Sequence, residues 1–520
     1  MNIFPRLHIA ILAMTLLHSV VSAKHIISID TQSRFDSIPQ LLSQQLERGE
    51  TDIDIAIAGK QFCFNENHIS LKGLRYPDTR ISIHGTEGTV IRSGGMRYSK
   101  GDEYRFGYNH QNTFLDGNNR ELSMWGNIHT ANDTIQVLDN NLKLCFIPYE
   151  DLRPQPADLC KYTYVLVTMW YTSNIYKVEK ITEKGIYFIC NNLTFNNHFK
   201  CYNVNLDYGY SMLIKKEICV PRFRLCNSIN SPNTIADGSV STESQRILEC
   251  RYSTFLTIDY CEFRAFSLEN ITFAGNARTR YESALINCRN SSMTNGLGIS
   301  NNTFRNLKSY AVYLSATDDV TFSDNTAEDC ASGLLKSCNN CSNTSVIGNT
   351  FRRCGTGMTN IPIVQTCGTD YSVKGNTFED FGYTAVNSGV HWLEEMTYPC
   401  RGVIEDNVIF YTSRTLNHIK EMTLMDSGAI YVSTQNDNTI IKNNYIHDYV
   451  GMIDYRGIFC DDGASNCHVI GNKIRNTPTS YSIQFAPFNF GNDSRSKTNV
   501  FCQGNTVENN DCDEEIKIAK

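Results

Sequence analysis

The chain of 520 residues carries 54 acidic and 47 basic side chains, a net charge of −7 with the two signs interspersed. No basic footprint marks it for nucleic acid or an anionic membrane surface, and its length allows two or three domains. Twenty cysteines leave two readings open, disulfides or small buried thiols, and Cys338 with Cys341 lacks the second ligand pair that a zinc site needs.

Residues 1–23 read as a secretory signal: Arg6, the apolar run Ile9–Leu17, then Val21-Ser22-Ala23 as a small-residue cleavage site. No later apolar stretch approaches the ~20 residues of a membrane span, so the expectation is a secreted or periplasmic protein. Ser37–Leu46, with Pro39 in its first turn and Gly49 beyond its end, predicts a short helix capping the open end of a repeat array. Alternating strands follow at Ile53–Ile57, Ile69–Leu71, Ile81–Gly85 and Val90–Ile91, placing the cap and first coils at 24–96. From 97 to 250 the pattern changes to longer strands such as Tyr164–Trp170, predicting an inserted β-rich, sandwich-like domain.

The rest, 251–508, is governed by a repeated phrase: Asn302-Thr303-Phe304, Asn325-Thr326-Ala327, Asn349-Thr350-Phe351, Asn376-Thr377-Phe378, Asn407-Val408-Ile409, Asn444-Tyr445-Ile446, Asn472-Lys473-Ile474 and Asn505-Thr506-Val507. Spacings of 23 to 37 residues mark units that bury an apolar face only by stacking. Each unit reads as one coil of a parallel β-helix, so the fold class is all-β. The polar segment 509–520 reads as a fraying tail.

A 28-residue offset between Asn444 and Asn472 superposes Ile458 on Ile430, Cys460 on Val432, Asp461 on Ser433 and Asp454 on Asp426. Alternation then turns Phe459 and Asp461 outward where Ile458 and Cys460 point inward. Neighbouring turns bring His391-Trp392-Leu393-Glu394-Glu395 and Pro487–Phe490 to the same edge. Glycosidic cleavage needs two carboxyl groups across one bond, and coils ~4.8 Å apart can supply them at either catalytic separation. Asp461 and Asp462, with Asp426 or Glu395, are the candidate catalytic carboxylates. Asp426 could join Asp461 only if the loop 414–426 folds back over that edge. Trp392 is the candidate stacking wall, and His391, Gln435, Asp454 and Arg456 are candidate sugar contacts. Against these stand blander roles: Asp461-Asp462-Gly463 as a turn, and Asp454 with Arg456 as an ion pair. Nothing requires a cofactor or a metal ion, and the oligomeric state is not legible.

Gly428-Ala429-Ile430-Tyr431, Asn443–Asp448 and Gly457–Gly463 resemble right-handed parallel β-helix proteins, among them glycoside hydrolases of the β-xylosidase, α-galactosidase and α-L-fucosidase types, as does an insert after the first coils. The resemblance implies an exo-acting hydrolase of oligo- or polysaccharides using Asp461, Asp462 and Asp426. A polysaccharide lyase or epimerase of the same fold is the first alternative; it calls for a basic residue on the acid-bearing face, which the aligned coils do not offer. A non-catalytic glycan-binding protein is the second.

Overall fold

The computed structural model describes residues 24–64, 67–93, the strands and one turn between 113 and 227, 254–274, 284–355 (without 306, 308, 331 and 339), 362–389, 400–413, 425–433, 438–450, 453–461, 463–477, 481–486 and 502–518. The segment 1–23 lies outside them. The chain is a right-handed parallel β-helix. Two parallel sheets, of 22 and 11 strands, wrap one core, and the larger turns a corner to supply two of the three faces. Each coil runs in the same order. In one, Leu297–Ser300 lies on the first face, Thr303–Arg305 on the second, and Tyr310–Ser323 covers the third before turning back onto the first. Ala316, at φ 46°, takes that corner.

The corner between first and second faces explains the repeated Asn. A residue in the left-handed region precedes it in every coil: Asn301, Asp324, Gly348, Gly375, Asp406, Asn443 and Gly471, with φ between 55° and 65°. Asn, Asp and Gly are the residues that adopt this conformation at least cost. The following Asn turns inward, and its Oδ1 accepts the backbone N–H of the preceding coil's Asn. Asn325 to Asn349 spans 2.9 Å, Asn349 to Asn376 2.9 Å and Asn444 to Asn472 3.0 Å. At the last step the structure corrects the sequence. Asn472 donates to Asn510, at 2.8 Å, whereas Asn505 accepts from Cys467 on the first face. Gly504-Asn505 and Asn509-Asn510 both carry the left-handed-then-Asn signature, and strand register selects the second, pairing Lys473 with Asp511.

The expected fraying tail is corrected for the same reason. Asp511–Cys512 and Ile516–Ile518 continue the second and third faces, pairing with Lys473–Arg475 and Ile483–Phe485. Between the first and later coils, strands from Gln136 to Asn227 form an eight-stranded antiparallel sheet with Thr130–Ala131, in which Thr172–Thr182 pairs with both Tyr162–Met169 and Gly185–Ile189. The cysteines of the solenoid resolve toward thiols. Cys261, Cys288, Cys330, Cys341, Cys354, Cys367, Cys400, Cys460 and Cys467 are buried and unbridged, and desolvation pushes the Cys400 thiol up to about 11.

Two short helices, α1 (Gln32–Asp36) and α2 (Ile38–Glu47), close the first coil, burying Phe35, Ile38, Leu42 and Leu46. His68 stacks on Phe35 at 4.3 Å and lies 5.6 Å from Phe255. Burial outweighs the nearby Asp36 carboxylate and lowers the His68 pKa from 6.5 to about 4. A His whose folded pKa is depressed binds its proton more readily when unfolded, so its stabilising effect is complete above pH 6.5 and declines as pH falls toward 4. The expected loss is up to about 3 kcal/mol, read as a falling denaturation midpoint between those limits. In His68→Phe that part of the slope should vanish; an unchanged slope would mean that His68 is not its source.

Candidate active face

Connections lengthen around one stretch of the third face. The strand Val386–Ser388 is separated from Gly402–Glu405, Val408–Phe410 from Met425–Ser433, and Ile483–Phe485 from Thr506–Glu508 by far more chain than a tight corner needs. These connections flank four adjacent third-face strands: Val386–Ser388, Met425–Ser433, Ile453–Asp461 and Ile483–Phe485.

The pairing follows the 28-residue offset: Ile430 opposes Ile458, Val432 opposes Cys460, and Ser433 opposes Asp461. Val432, Ile458 and Cys460 join the main core, whereas Tyr431, Phe459 and Ala486 form a separate apolar cluster on the outer side. One outward row therefore runs Asn387, Tyr431, Phe459, Gln484 across four coils. All four are buried, at 0%, 2%, 1% and 4% exposure, whereas Lys336 and Gln365, earlier in the row, are half-buried. The outward row is thus covered along only this part of its length.

Within it Tyr431 donates its hydroxyl to Asp461 Oδ2 at 2.6 Å, and Asp461 is 3% exposed. A carboxyl group so deep needs hydrogen-bond partners, and a phenol at this distance is a strong donor. Tyr431 meets the Phe459 ring edge-on at 5.3 Å. The Arg456 guanidinium lies 4.2 Å from the centroid of that ring, and its Nε donates to Gln484 Oε1 at 2.5 Å. The expectation of no basic residue on this face is thereby corrected, because Arg456 reaches its outer side and packs on Phe459.

Asp426 is also repositioned. It belongs to the strand Met425–Ser433 rather than to a loop that could fold back, and it stands level with Asp454, seven residues before the level of Asp461. Along an extended chain that is ~23 Å, too far for Asp426 and Asp461 to share one bond. Asp426 and Asp454 are described in their strand path only. Asp462, Glu395, Trp392, His391 and Gln435 lie outside the described residues. The sequence reading missed Tyr431 as the partner of Asp461 and Gln484 as that of Arg456, although alternation from the known register places both on the outward row.

Among the described residues no three His, Cys, Asp or Glu converge as metal ligands, and no helix is long and apolar enough to cross a membrane. No family model and no curated protein matches the chain. Among solved structures, one described as "Glycoside hydrolase" is similar over 94% of this chain and 96% of its own, at 12% identity and a TM-score of 0.53. The complex of XylC with xylose is similar over 82% and 64%, at 10% identity and a TM-score of 0.34. The catalytic domain of a GH87 α-1,3-glucanase in complex with tetrasaccharides is similar over 68% and 87%, at 10% identity and 0.26. The first of these supports the fold, over most of this chain's length.

Proposed function

We propose that the chain is an exported, carbohydrate-active enzyme that hydrolyses glycosidic bonds on the third face, with Asp461 as one catalytic carboxyl group. The observation that carries this reading is the buried Tyr431–Asp461 hydrogen bond beside the Phe459 ring, inside the stretch where the outward row is covered. A carboxylate accepting from a phenol is suited to act as nucleophile or base, which leaves the acid role to a neighbouring carboxyl group. Asp462, next in sequence, and Glu395, in the connection after Val386–Ser388, are the proposed partners. Trp392 and His391 in that connection, and Gln435 after Met425–Ser433, are the proposed sugar contacts for an exo-acting enzyme. The likeness in fold to a solved structure described as "Glycoside hydrolase" is in keeping with this reading.

Arg456 favours a second reading, a lyase or epimerase, in which a cation neutralises a uronate while a base takes the adjacent proton. One screen separates them. The purified chain is incubated with aryl glycosides, neutral oligosaccharides and oligouronates, following reducing ends and ultraviolet absorbance together. Hydrolysis of an oligosaccharide predicts new reducing ends without absorbance, and hydrolysis of an aryl glycoside releases its phenol. A lyase predicts both, because elimination leaves an unsaturated product, and an epimerase predicts neither, its product being read as a changed sugar configuration by proton magnetic resonance of the oligouronates. No product across the panel would overturn both and leave glycan binding alone.

A further inference from the structure

The second face changes character partway along the solenoid. Each of its three-residue strands turns the middle side chain into the core and the first and third toward solvent, which makes two outward rows. From Thr272 to Thr377 the first row is threonine in every coil. From Arg305 to Glu379 the second row alternates bases and acids that pair between coils, Arg352 with Glu379 at 3.0 Å among them. At the next two coils both rows become apolar and aromatic. Thr377 is followed by Val408 and Tyr445, and Glu379 by Phe410 and His447.

These rings are not part of the core. Ile409 and Ile446, the middle residues of the two strands, fill it at 0% exposure, whereas Tyr445 is 37% exposed and Phe410 and His447 are half-buried. The His447 ring lies 4.8 Å from Phe410, within 8° of parallel, and 4.6 Å from Tyr445. Three rings therefore make one continuous surface across two coils. Polar groups border it. His447 Nδ1 lies 2.8 Å from Asp448 Oδ2, and Lys473 Nζ lies 5.3 Å from the Tyr445 ring centroid. In the next coils Lys473 faces Asp511 in register, and Arg475 pairs with Asp511 and with Asp513, the latter at 3.3 Å. Each base around the rings has an acid beside it, so the patch offers no net charge to attract an ionic ligand.

Two coils high and two rows wide, the ring surface covers on the order of 100 Å². A stable protein interface takes about 800 Å² from each partner, so the patch is scaled to a small ligand or to a short stretch of a polymer. A neutral sugar has the matching chemistry: an apolar C–H face to lie against rings and a rim of hydroxyl groups for flanking acceptors and donors. We infer that the second face carries a platform for a neutral glycan, on which Tyr445, His447 and Phe410 pack against sugar C–H groups while Asp448 and Lys473 bond hydroxyl groups. The platform is separate from the proposed reaction, because it lies on a different face of the solenoid from Asp461. It holds a polymer to the protein without taking part in bond cleavage.

The test is migration of the full chain in native gels containing arabinoxylan, mixed-linkage β-glucan, galactomannan or a soluble α-glucan, with polygalacturonate and alginate as acidic counterparts. At least one neutral polysaccharide should retard the parent, with an apparent Kd that rises about tenfold in Tyr445→Ala. Tyr445→Phe should stay close to the parent, since it keeps the ring. Thermal midpoints of both variants should be unchanged, because Tyr445 makes no core contact that Ile446 does not carry. Equal retardation of parent and Tyr445→Ala in every gel overturns the inference, as does free migration in all neutral gels or a Tyr445 dependence confined to the acidic ones. Migration that depends on protein concentration alone would make the rings a contact between copies and overturns it too. Turnover of short aryl glycosides, expected to be the same in Tyr445→Ala as in the parent, separates this inference from the proposed function. A chain that hydrolyses them yet is never retarded loses only the platform, and a retarded chain without products loses only the hydrolysis.

Discussion

Asp461→Asn should lower turnover on any substrate that the screen identifies by about three orders of magnitude, the scale expected when a positioned acid–base group is lost. The substitution keeps the shape of the side chain, and the Tyr431 hydroxyl can still donate, now to the amide oxygen, so the fold should be undisturbed. KM should change little if the group acts on the reacting bond rather than holding the sugar. Tyr431→Phe gives the graded control. It leaves Asp461 buried without its phenolic donor, a change worth about 1.5–3 kcal/mol for a hydrogen bond to a charged group, and should shift the acidic limb of the pH–rate profile as well as reduce kcat. An Asp461→Asn enzyme that kept more than a tenth of the parent turnover would remove Asp461 from the chemistry and return Asp461-Asp462-Gly463 to the role of a turn. A Tyr431→Phe profile of unchanged shape would make the hydrogen bond structural.

The solenoid was legible in the sequence because its corners have strict demands. A left-handed residue followed by a buried Asn can be written in few ways, so the pairs Asp324-Asn325, Gly348-Asn349 and Gly471-Asn472 recur as text. The offset that aligned Ile458 with Ile430 follows from that text and agrees with the pairing. Where two equally good pairs lie close together, as at Gly504-Asn505 and Asn509-Asn510, a motif cannot choose, because register is decided by which strand edge is already occupied. The site was less legible for a related reason. Alternation says which side of a strand a residue is on, but not what reaches across it. Arg456 shares sequence parity with the inward Ile458 and Cys460, yet its long side chain wraps onto Phe459 and Gln484. The acids show the opposite difficulty. The sequence left open whether the segment 414–426 folds Asp426 back toward Asp461, and the position of Asp426 within the strand Met425–Ser433 decides it.

Asn376→Ala should be among the most destabilising single substitutions in the chain, costing about 3–5 kcal/mol. Its Oδ1 accepts from both the backbone N–H and the side-chain amide of Asn349, each at 2.9 Å. Its Nδ2 donates to Val346 O at 2.9 Å and to Asn407 Oδ1 at 3.0 Å. Alanine removes these four and a fifth, from Nδ2 to Lys374 O at 3.1 Å, at a position 1% exposed, and the backbone N–H of Asn349 and the carbonyl of Val346 lose these partners where water does not reach. The penalty comes from orphaned groups rather than lost volume, which is why a serine should not rescue it: its hydroxyl is too short to bridge coils. Solenoids need not unfold in one step, so the cost is best read locally, as faster amide exchange at Asn349 together with a lower thermal midpoint. The same experiment at the open end tests the corrected register. Asn510→Ala, where the ladder is part-exposed, should cost only about 1 kcal/mol and speed exchange at Asn472, whose N–H it accepts at 2.8 Å. Asn505→Ala should instead speed exchange at Cys467, whose N–H reaches Asn505 Oδ1 at 2.8 Å. The reverse assignment would restore Asn505 to the ladder and displace the last coil by one strand.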